Sequence, residues 1–227
     1  MEIDLEMEQE KLKSWRAKKV FIIDHPLIKY YLSVLRSKNT DSIKFRSCLK
    51  HISFLLAYPA LNDLKLFSSQ DYSPLGSFTA FSLSEPLFLI PIMRAGLGML
   101  APFSGLLPTA KIRFVGAQRD SKTFKVSLYY SFAKENFLTE KKPSYFILEP
   151  MIATGETVLT VLNFLTSLGS SLEKLVIVSI IGSVSGVQRI KKHFPSVKIF
   201  LAALDSKINS KGYIIPGLGD AGDRLFF

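Results

Sequence analysis

The chain has 227 residues, a formal net charge of +10, 48% hydrophobic residues and 21% charged residues. This length suits one large domain, and this composition excludes an intrinsically disordered chain. A single cysteine, Cys48, excludes an internal disulfide framework and a cysteine-based zinc site. The acidic N-terminus lacks the layout of a signal peptide, and no apolar run is long enough to cross a bilayer. We therefore expect a protein of the cytoplasm, with no membrane partner.

The positive charge leaves two classes of partner open. The 29 Lys and Arg residues are spread along the chain, and their densest patch, Lys11 to Lys19, suits a solvated helix face. Nucleic acid would use such charge, and so would a basic pocket for a polyanionic small molecule. Because the charge does not form a tract, composition alone does not decide between the two.

The first 86 residues combine short helices with few strands. His25 and His51 are expected to cap or pack rather than to bind a metal. The predicted elements, in order, are an amphipathic helical extension over residues 1–19, a strand over Val20–Ile23, a turn at Asp24–Pro26 that caps a helix over Leu27–Leu35, a helix over Ser42–Leu66 capped by Asn39–Asp41, and a loop with one hairpin over Ser68–Pro86.

From Leu87 onward, wholly apolar runs alternate with helical segments. Such runs are typical of strands buried on both faces, and they predict an α/β fold whose parallel sheet is covered by helices on both faces. The predicted strands are Leu87–Ile92, Lys111–Gln118, Tyr145–Leu148, Leu175–Ile181 and Val197–Leu204, with an exposed hairpin or flap over Phe124–Phe132.

Charged residues follow the ends of these strands. Arg94, Arg119, Glu149 and Asp205 each come at or just after the end of a predicted strand. Ligands of parallel α/β sheets bind beyond the carboxyl ends of the strands. We therefore expect these side chains to converge on one rim of the sheet.

The segment from Tyr145 to Leu165 predicts an anion cradle. A buried strand ends at Glu149-Pro150, a small-residue turn follows over Ala153–Thr157, and a helix begins after it. Unpaired amides and the positive end of the helix dipole would point at one spot, where Thr154 and Thr157 can add hydroxyl donors. The turn is not a P-loop, because no Lys follows its glycine.

Three stretches in the same order resemble the uracil phosphoribosyltransferases. They are Pro91-Ile-Met-Arg-Ala-Gly-Leu-Gly-Met99, Glu149-Pro-Met-Ile-Ala-Thr-Gly-Glu-Thr157 and Gly212-Tyr-Ile-Ile-Pro-Gly-Leu-Gly-Asp-Ala-Gly-Asp-Arg224. The resemblance implies a type I phosphoribosyltransferase core with a smaller hood or flap, over residues 20–227, behind an N-terminal helical extension. It also implies transfer of ribose 5-phosphate from phosphoribosyl pyrophosphate (PRPP) to uracil, giving UMP and pyrophosphate in pyrimidine salvage.

The same resemblance assigns the site residues. Mg²⁺ would be bound through PRPP rather than by the protein, GTP is a possible activator, and a homodimer or larger homo-oligomer is implied. The catalytic residues would be Arg94, Arg119 and Asp220; the PRPP-binding residues would be Arg94, Arg119, Glu149, Pro150, Met151, Ile152, Ala153, Thr154, Gly155, Glu156, Thr157 and Asp220; and the uracil-binding residues would be Ile214, Gly219, Asp220 and Ala221.

This sequence departs from the family pattern within the cradle. Glu149 stands where the family usually has Asp, Glu156 where it has Gly, and Gln118 where it commonly has Tyr. Glu156 matters most, because its carboxylate would repel a phosphate in the cradle. Two alternatives therefore stay open: a weakened or regulatory descendant that binds PRPP, UMP or RNA, and a transferase for another base. The intact Tyr213–Arg224 loop argues against the second alternative.

Overall fold

The computed structural model describes residues 13–120, 123, 125–132 and 143–227. Most of the predicted N-terminal extension lies outside these residues. Residues 13–17 of it are helical, and Trp15 packs against the core beside Val20. The boundary predicted between an extension and a domain at residue 20 stays a prediction.

A mostly parallel sheet forms the centre of the fold, as predicted. Its strand order is β1-β11-β10-β8-β4-β6-β7, with β5 beside β4 and β9 beside β10; only β7 runs antiparallel, against β6. The strands of this sheet are β1 (Val20–Ile22), β4 (Leu87–Met93), β5 (Lys111–Ile112), β6 (Val115–Arg119), β7 (Val126–Tyr130), β8 (Ser144–Leu148), β9 (Met151–Ile152), β10 (Leu175–Ser183) and β11 (Lys198–Asp205). Two separate hairpins pair β2 (Leu66–Ser73) with β3 (Gly76–Leu83), and β12 (Lys207–Ile208) with β13 (Ile214–Ile215).

Helices cover both faces of the sheet because the central strands are apolar at most positions on either face. Leu89 and Leu148 belong to one core cluster, while their neighbours Phe88 and Ile147 belong to the other. The helices are α1 (Pro26–Arg36), α2 (Ser42–Ala60), α3 (Leu97–Leu106), α4 (Glu156–Ser167), α5 (Val184–His193) and α6 (Ala221–Phe226). The first core cluster contains buried residues of α1, α2, α3 and α6, and the second contains those of α4 and α5.

Local signals place the helix starts. The Leu27 amide donates to His25 Nδ1 over 3.1 Å, and the Lys44 amide donates to Asp41 Oδ1 over 2.8 Å. Both contacts satisfy amides that a helix start leaves unpaired. His51 stacks on Tyr31 with ring centroids 4.8 Å apart. The expectation that the two histidines cap and pack is confirmed.

Three predicted boundaries were wrong. Helix α2 ends at Ala60 rather than at Leu66, because Leu66 already begins β2. The hairpin predicted within Ser68–Pro86 is confirmed as β2–β3, but it begins earlier, at Leu66, and takes up most of the stretch predicted as loop; every residue of its strands except Ala80 is exposed. The single strand predicted over Lys111–Gln118 is divided into β5 and β6.

Within the described residues, no helix combines the length and hydropathy that crossing a bilayer requires.

Candidate active site

Arg94 lies at the carboxyl end of β4, where the chain turns into α3. The turn packs tightly against β8, since a Cβ at Gly96 would lie 2.3 Å from the Leu148 carbonyl oxygen. The Arg94 guanidinium is 3.5 Å from Asp223 Oδ1 and 5.3 Å from the ring of Phe227. The end of β4 thus meets both the end of β8 and the C-terminal helix α6.

Glu149 is a buried carboxyl directly after β8. It is 9% exposed, and its Oε1 accepts a 3.4 Å hydrogen bond from the Met151 amide. Burial raises the pKa of Glu149, the hydrogen bond from the Met151 amide lowers it, and the Asp220 carboxylate adds a smaller increase, so that the pKa comes to about 8. Glu149 and Asp220 are therefore electrostatically coupled, although they come from distant parts of the chain.

Residues 149–157, which we call the cradle loop, are held against the start of α5 by a close backbone crossing. A Cβ at Gly186 would lie 2.2 Å from the Ala153 carbonyl oxygen, and a Cβ at Gly155 would lie 2.7 Å from the Gly186 carbonyl oxygen. Gly155 has φ +80°, which favours glycine. Ser183 Oγ donates to the Ala153 carbonyl over 2.5 Å and accepts from the Gly186 amide over 2.9 Å.

Glu156 is the first residue of α4, and its carboxylate is paired. Arg189 Nη1, on α5, lies 2.9 Å from Glu156 Oε2. The two side chains are 51% and 37% exposed respectively, so solvent reaches the pair. Arg189 on α5 therefore balances the negative charge of Glu156 beside the cradle loop.

Arg119 closes the opposite side of the cradle loop. Its Nη2 donates to the Lys211 carbonyl over 2.6 Å, and a Cβ at Gly212 would lie 2.6 Å from Arg119 Nη1. A cavity of about 200 Å³ lies between these groups. Its lining residues are Arg119, Thr154, Glu156, Arg189, Ile208, Asn209, Ser210 and Gly212.

The loop from Gly212 to Arg224, called the C-terminal loop below, has a backbone that suits close approach to a flat ligand. Gly217 and Gly219 have φ +61° and +81°, and Ile215–Pro216 is a cis peptide bond. Asp220 Oδ1 accepts from the Asp223 amide over 3.0 Å and so caps α6. Arg224 donates to the Leu218 carbonyl over 2.7 Å and to the Ser37 carbonyl over 2.7 Å, fixing this loop to the end of α1.

Asp205 ends β11 on the same edge of the sheet, and its carboxylate is already paired. It is 7% exposed and forms an ion pair of 2.6 Å with Arg36, while its Oδ2 accepts from the Gly217 amide over 3.0 Å. Arg36 also donates to the Gly217 carbonyl over 2.8 Å. Asp205 therefore lies on the predicted rim, but its carboxylate is used to support the C-terminal loop.

The predicted site residues form two neighbouring groups joined by the cradle loop. Arg94, Glu149 and Asp220 lie on the side of α6, and Arg119, Thr154 and Glu156 line the cavity. Of the predicted uracil-binding residues, Ile214 and Ala221 are buried, whereas Gly219 and Asp220 are exposed. Nothing in the sequence indicated that Arg36, Arg189 and Arg224 support the site. Each is an arginine on a helix, and nothing in its sequence pattern sets it apart from arginines that face solvent.

A second cavity, of about 340 Å³, lies at the other end of the strands. It is lined by residues 83–87 and Thr109, which precede β4 and β5. The Glu85 carboxylate beside it is paired with Lys174 and accepts from Ser144 Oγ over 2.5 Å. Because these groups satisfy one another at the amino ends of the strands, we consider the rim above to be the candidate site.

Comparison with known proteins identifies the relatives of this chain. The family model for uracil phosphoribosyltransferase matches residues 22–227. A uracil phosphoribosyltransferase of Finegoldia magna is 41% identical over 209 residues, which cover 92% of this chain and 98% of that protein. One of Campylobacter fetus subsp. fetus is 38% identical over 205 residues, covering 90% of this chain and 96% of that protein. The solved structure of the AQ2163 protein from Aquifex aeolicus matches with a TM-score of 0.83 and 35% identity, covering 91% of this chain and 97% of that one.

Proposed function

The chain belongs to the uracil phosphoribosyltransferase family, and we therefore propose that it converts uracil and PRPP to UMP and pyrophosphate. In this reaction the bond between uracil N1 and ribose C1′ forms, the bond between C1′ and the pyrophosphate oxygen breaks, and N1 loses its proton. The single observation that carries the proposal is the meeting of the cradle loop, Arg94 and the C-terminal loop at one edge of the sheet.

The arginines are proposed to bind the phosphates of PRPP. Negative charge accumulates on the departing pyrophosphate, while the ribose becomes oxocarbenium-like. A guanidinium suits this task because its donors form a planar fork and it stays protonated. Fixed cations aimed at charge that develops in the transition state lower the barrier without reorganisation. Arg94 and Arg119 would act in this way, from the two sides of the cradle loop.

The cradle loop is proposed to hold the 5′-phosphate, and Glu149 to address the ribose hydroxyls. The left-handed turn at Gly155 and the helix start that follows support the first assignment. The buried position of Glu149 beside Asp220 supports the second, because a carboxyl with few protein partners is available to a hydroxyl donor. Thr154 lines the cavity and can add a hydroxyl to the same site.

Uracil is proposed to bind along the backbone of the C-terminal loop. Its edge has two acceptor oxygens with an N–H donor between them, which backbone amides and carbonyls can complement. Gly219 and Asp220 are exposed, and among the described residues the only heavy atom beyond the chain neighbours of Gly219 that a Cβ there would approach within 4 Å is Arg224 Cδ, at 3.4 Å. Cytosine would present an amine to an amide donor, and leaving both unpaired is the kind of mismatch that discriminates strongly.

Four finer features belong to the same proposal. We propose that Mg²⁺ reaches the site on the pyrophosphate of PRPP, since phosphate oxygens are ligands it prefers, and that it supplies further charge neutralisation there. The coupled carboxyls of Glu149 and Asp220 fit a site that receives a cation with its substrate. Activation by GTP, a homo-oligomeric assembly and a location in the cytoplasm stay predictions.

The test is turnover by the purified chain with radiolabelled uracil, PRPP and Mg²⁺. We expect UMP from uracil, and no nucleotide product from cytosine or from a purine base under the same conditions. Binding of PRPP without any product would contradict the proposal and favour the regulatory alternative. The ion pair between Glu156 and Arg189 offsets the charge that favoured the weakened alternative, so the enzyme is the function that the site supports best.

A further inference from the structure

Arg189 lies outside the three stretches that resemble the family, yet it lines the same cavity as the cradle loop. We propose that Arg189 is an additional phosphate-binding residue of this chain, which holds Glu156 in the empty site and binds the 5′-phosphate of PRPP or UMP in the loaded one. This inference rests on the proposed function, which identifies the phosphate as the 5′-phosphate of PRPP or UMP.

Contacts of the neighbouring residues Ser183 and Gly186 hold the part of α5 that carries Arg189 against the cradle loop. Ser183 caps α5 and bonds to the Ala153 carbonyl, and the Gly186 backbone crosses the cradle loop at van der Waals distance. Residue 189 follows residue 186 by three positions and therefore lies near it on the same helix face. The guanidinium is thus carried by the element that packs most closely on the cradle loop.

The guanidinium has capacity for a second anion. Within the described residues its one ion-pair contact is the 2.9 Å contact from Nη1 to Glu156 Oε2, and half of the side chain is exposed. An arginine has five N–H donors, so one carboxylate leaves donors for phosphate oxygens. The exposed fraction also means that its charge is solvated and can shift between two anions at small cost.

The charge balance of the cavity requires such a contribution. Arg119 and Arg189 supply two positive charges to the lining and Glu156 supplies one negative charge. Without Arg189, Glu156 would be left uncompensated beside an incoming phosphate dianion. The two residues should therefore act as a unit, so that removing the arginine alone is worse than removing both.

Binding of ribose 5-phosphate, followed by calorimetry, tests the inference without requiring turnover. We expect Arg189→Ala to raise the Kd about 30-fold, the scale of a charge-assisted contact, and more at low ionic strength than at high. The double variant Glu156→Gly with Arg189→Ala should recover part of this loss, because the repelling carboxylate is gone, but should still bind at least about 5-fold more weakly than the parent chain, because the contact with the phosphate is gone as well. Lys192→Ala, an exposed residue of the same helix with the same charge change, is the matched control and should leave the Kd unchanged.

The outcomes separate this inference from the proposed function. If the parent chain forms no UMP but its affinity for ribose 5-phosphate still depends on Arg189, the enzyme assignment fails and this inference stands. If Arg189→Ala binds ribose 5-phosphate within about 2-fold of the parent chain, the inference is overturned whether or not UMP forms. It is also overturned if the double variant binds as tightly as the parent chain, because Arg189 would then only neutralise Glu156. Thermal melting of each variant confirms that the comparison is made on folded protein.

Discussion

Replacing Glu149 by Gln should change how the stability of the protein depends on pH. The Glu149 carboxyl is 9% exposed, and burial beside the Asp220 carboxylate raises its pKa from 4.5 to about 8. Gln has nearly the same shape and can still accept from the Met151 amide, but it does not titrate. The comparison of the two proteins therefore isolates the proton on Glu149.

The sign of the effect follows from the two pKa values of Glu149. The folded protein keeps the proton up to about pH 8, whereas the unfolded chain releases it near pH 4.5. Between these values the unfolded state binds fewer protons, so the free energy of unfolding falls as the pH rises. One proton over two pH units, at about 1.4 kcal/mol per unit and less as the folded group begins to titrate, amounts to about 2 kcal/mol lost between pH 6 and pH 8.

Urea unfolding at pH 6 and pH 8, analysed by linear extrapolation, measures this loss. We expect Glu149→Gln to gain about 2 kcal/mol on the parent chain between the two pH values. Glu173→Gln, the same substitution at an exposed position, controls for the general effect of the exchange. Parallel stability profiles for the parent chain and Glu149→Gln would refute the reasoning, because they would show that Glu149 does not hold a proton that the unfolded chain releases.

Three further substitutions test the site. Arg94→Ala should lower kcat/KM for PRPP at least about 10²-fold with little change in the KM for uracil. A kcat/KM for PRPP close to that of the parent chain, measured by steady-state kinetics, would contradict the role of Arg94. Gly219→Ala should weaken uracil binding, because a Cβ at φ +81° costs roughly 1–2 kcal/mol in the loop that contacts the base. Gly169→Ala, at φ +96° and with no described atom beyond its chain neighbours within 4 Å of the new Cβ, should lose similar stability but keep its uracil affinity. Gly186→Ala should raise the KM for PRPP at least about 10-fold by displacing the cradle loop, whereas Gly76→Ala, in open space, should not.

The sequence predicted the sheet well because its strands are apolar at consecutive positions. β4, β8 and β10 are buried along nearly their whole length, so their runs stand out against any helical pattern. The β2–β3 hairpin gave no such signal, since almost every residue in it is exposed and no face is buried against the core. Propensity alone did not distinguish that ribbon from a loop.

The site was predictable where it depends on the chain direction of parallel strands, and not where it depends on side-chain pairing. Glu149, Arg94 and Arg119 follow strand ends, and the carboxyl ends of parallel strands share one rim. Asp205 satisfied the same rule but is paired with Arg36, which lies 169 residues away in the chain. Likewise, nothing in the sequence indicated that Arg189 meets Glu156, because that contact exists only once α5 packs beside α4.

The crossing of Gly155 and Gly186 has a mechanical consequence. Two backbones without Cβ atoms approach each other there, so a side chain on either glycine would force the cradle loop and α5 apart. The facing wall of the cavity, residues 208–212, belongs to the β12–β13 hairpin, which within the described residues has no strand pairing with the central sheet. The cavity therefore has one wall fixed by backbone packing and a facing wall that Arg119 joins to the central sheet, through its 2.6 Å hydrogen bond to the Lys211 carbonyl.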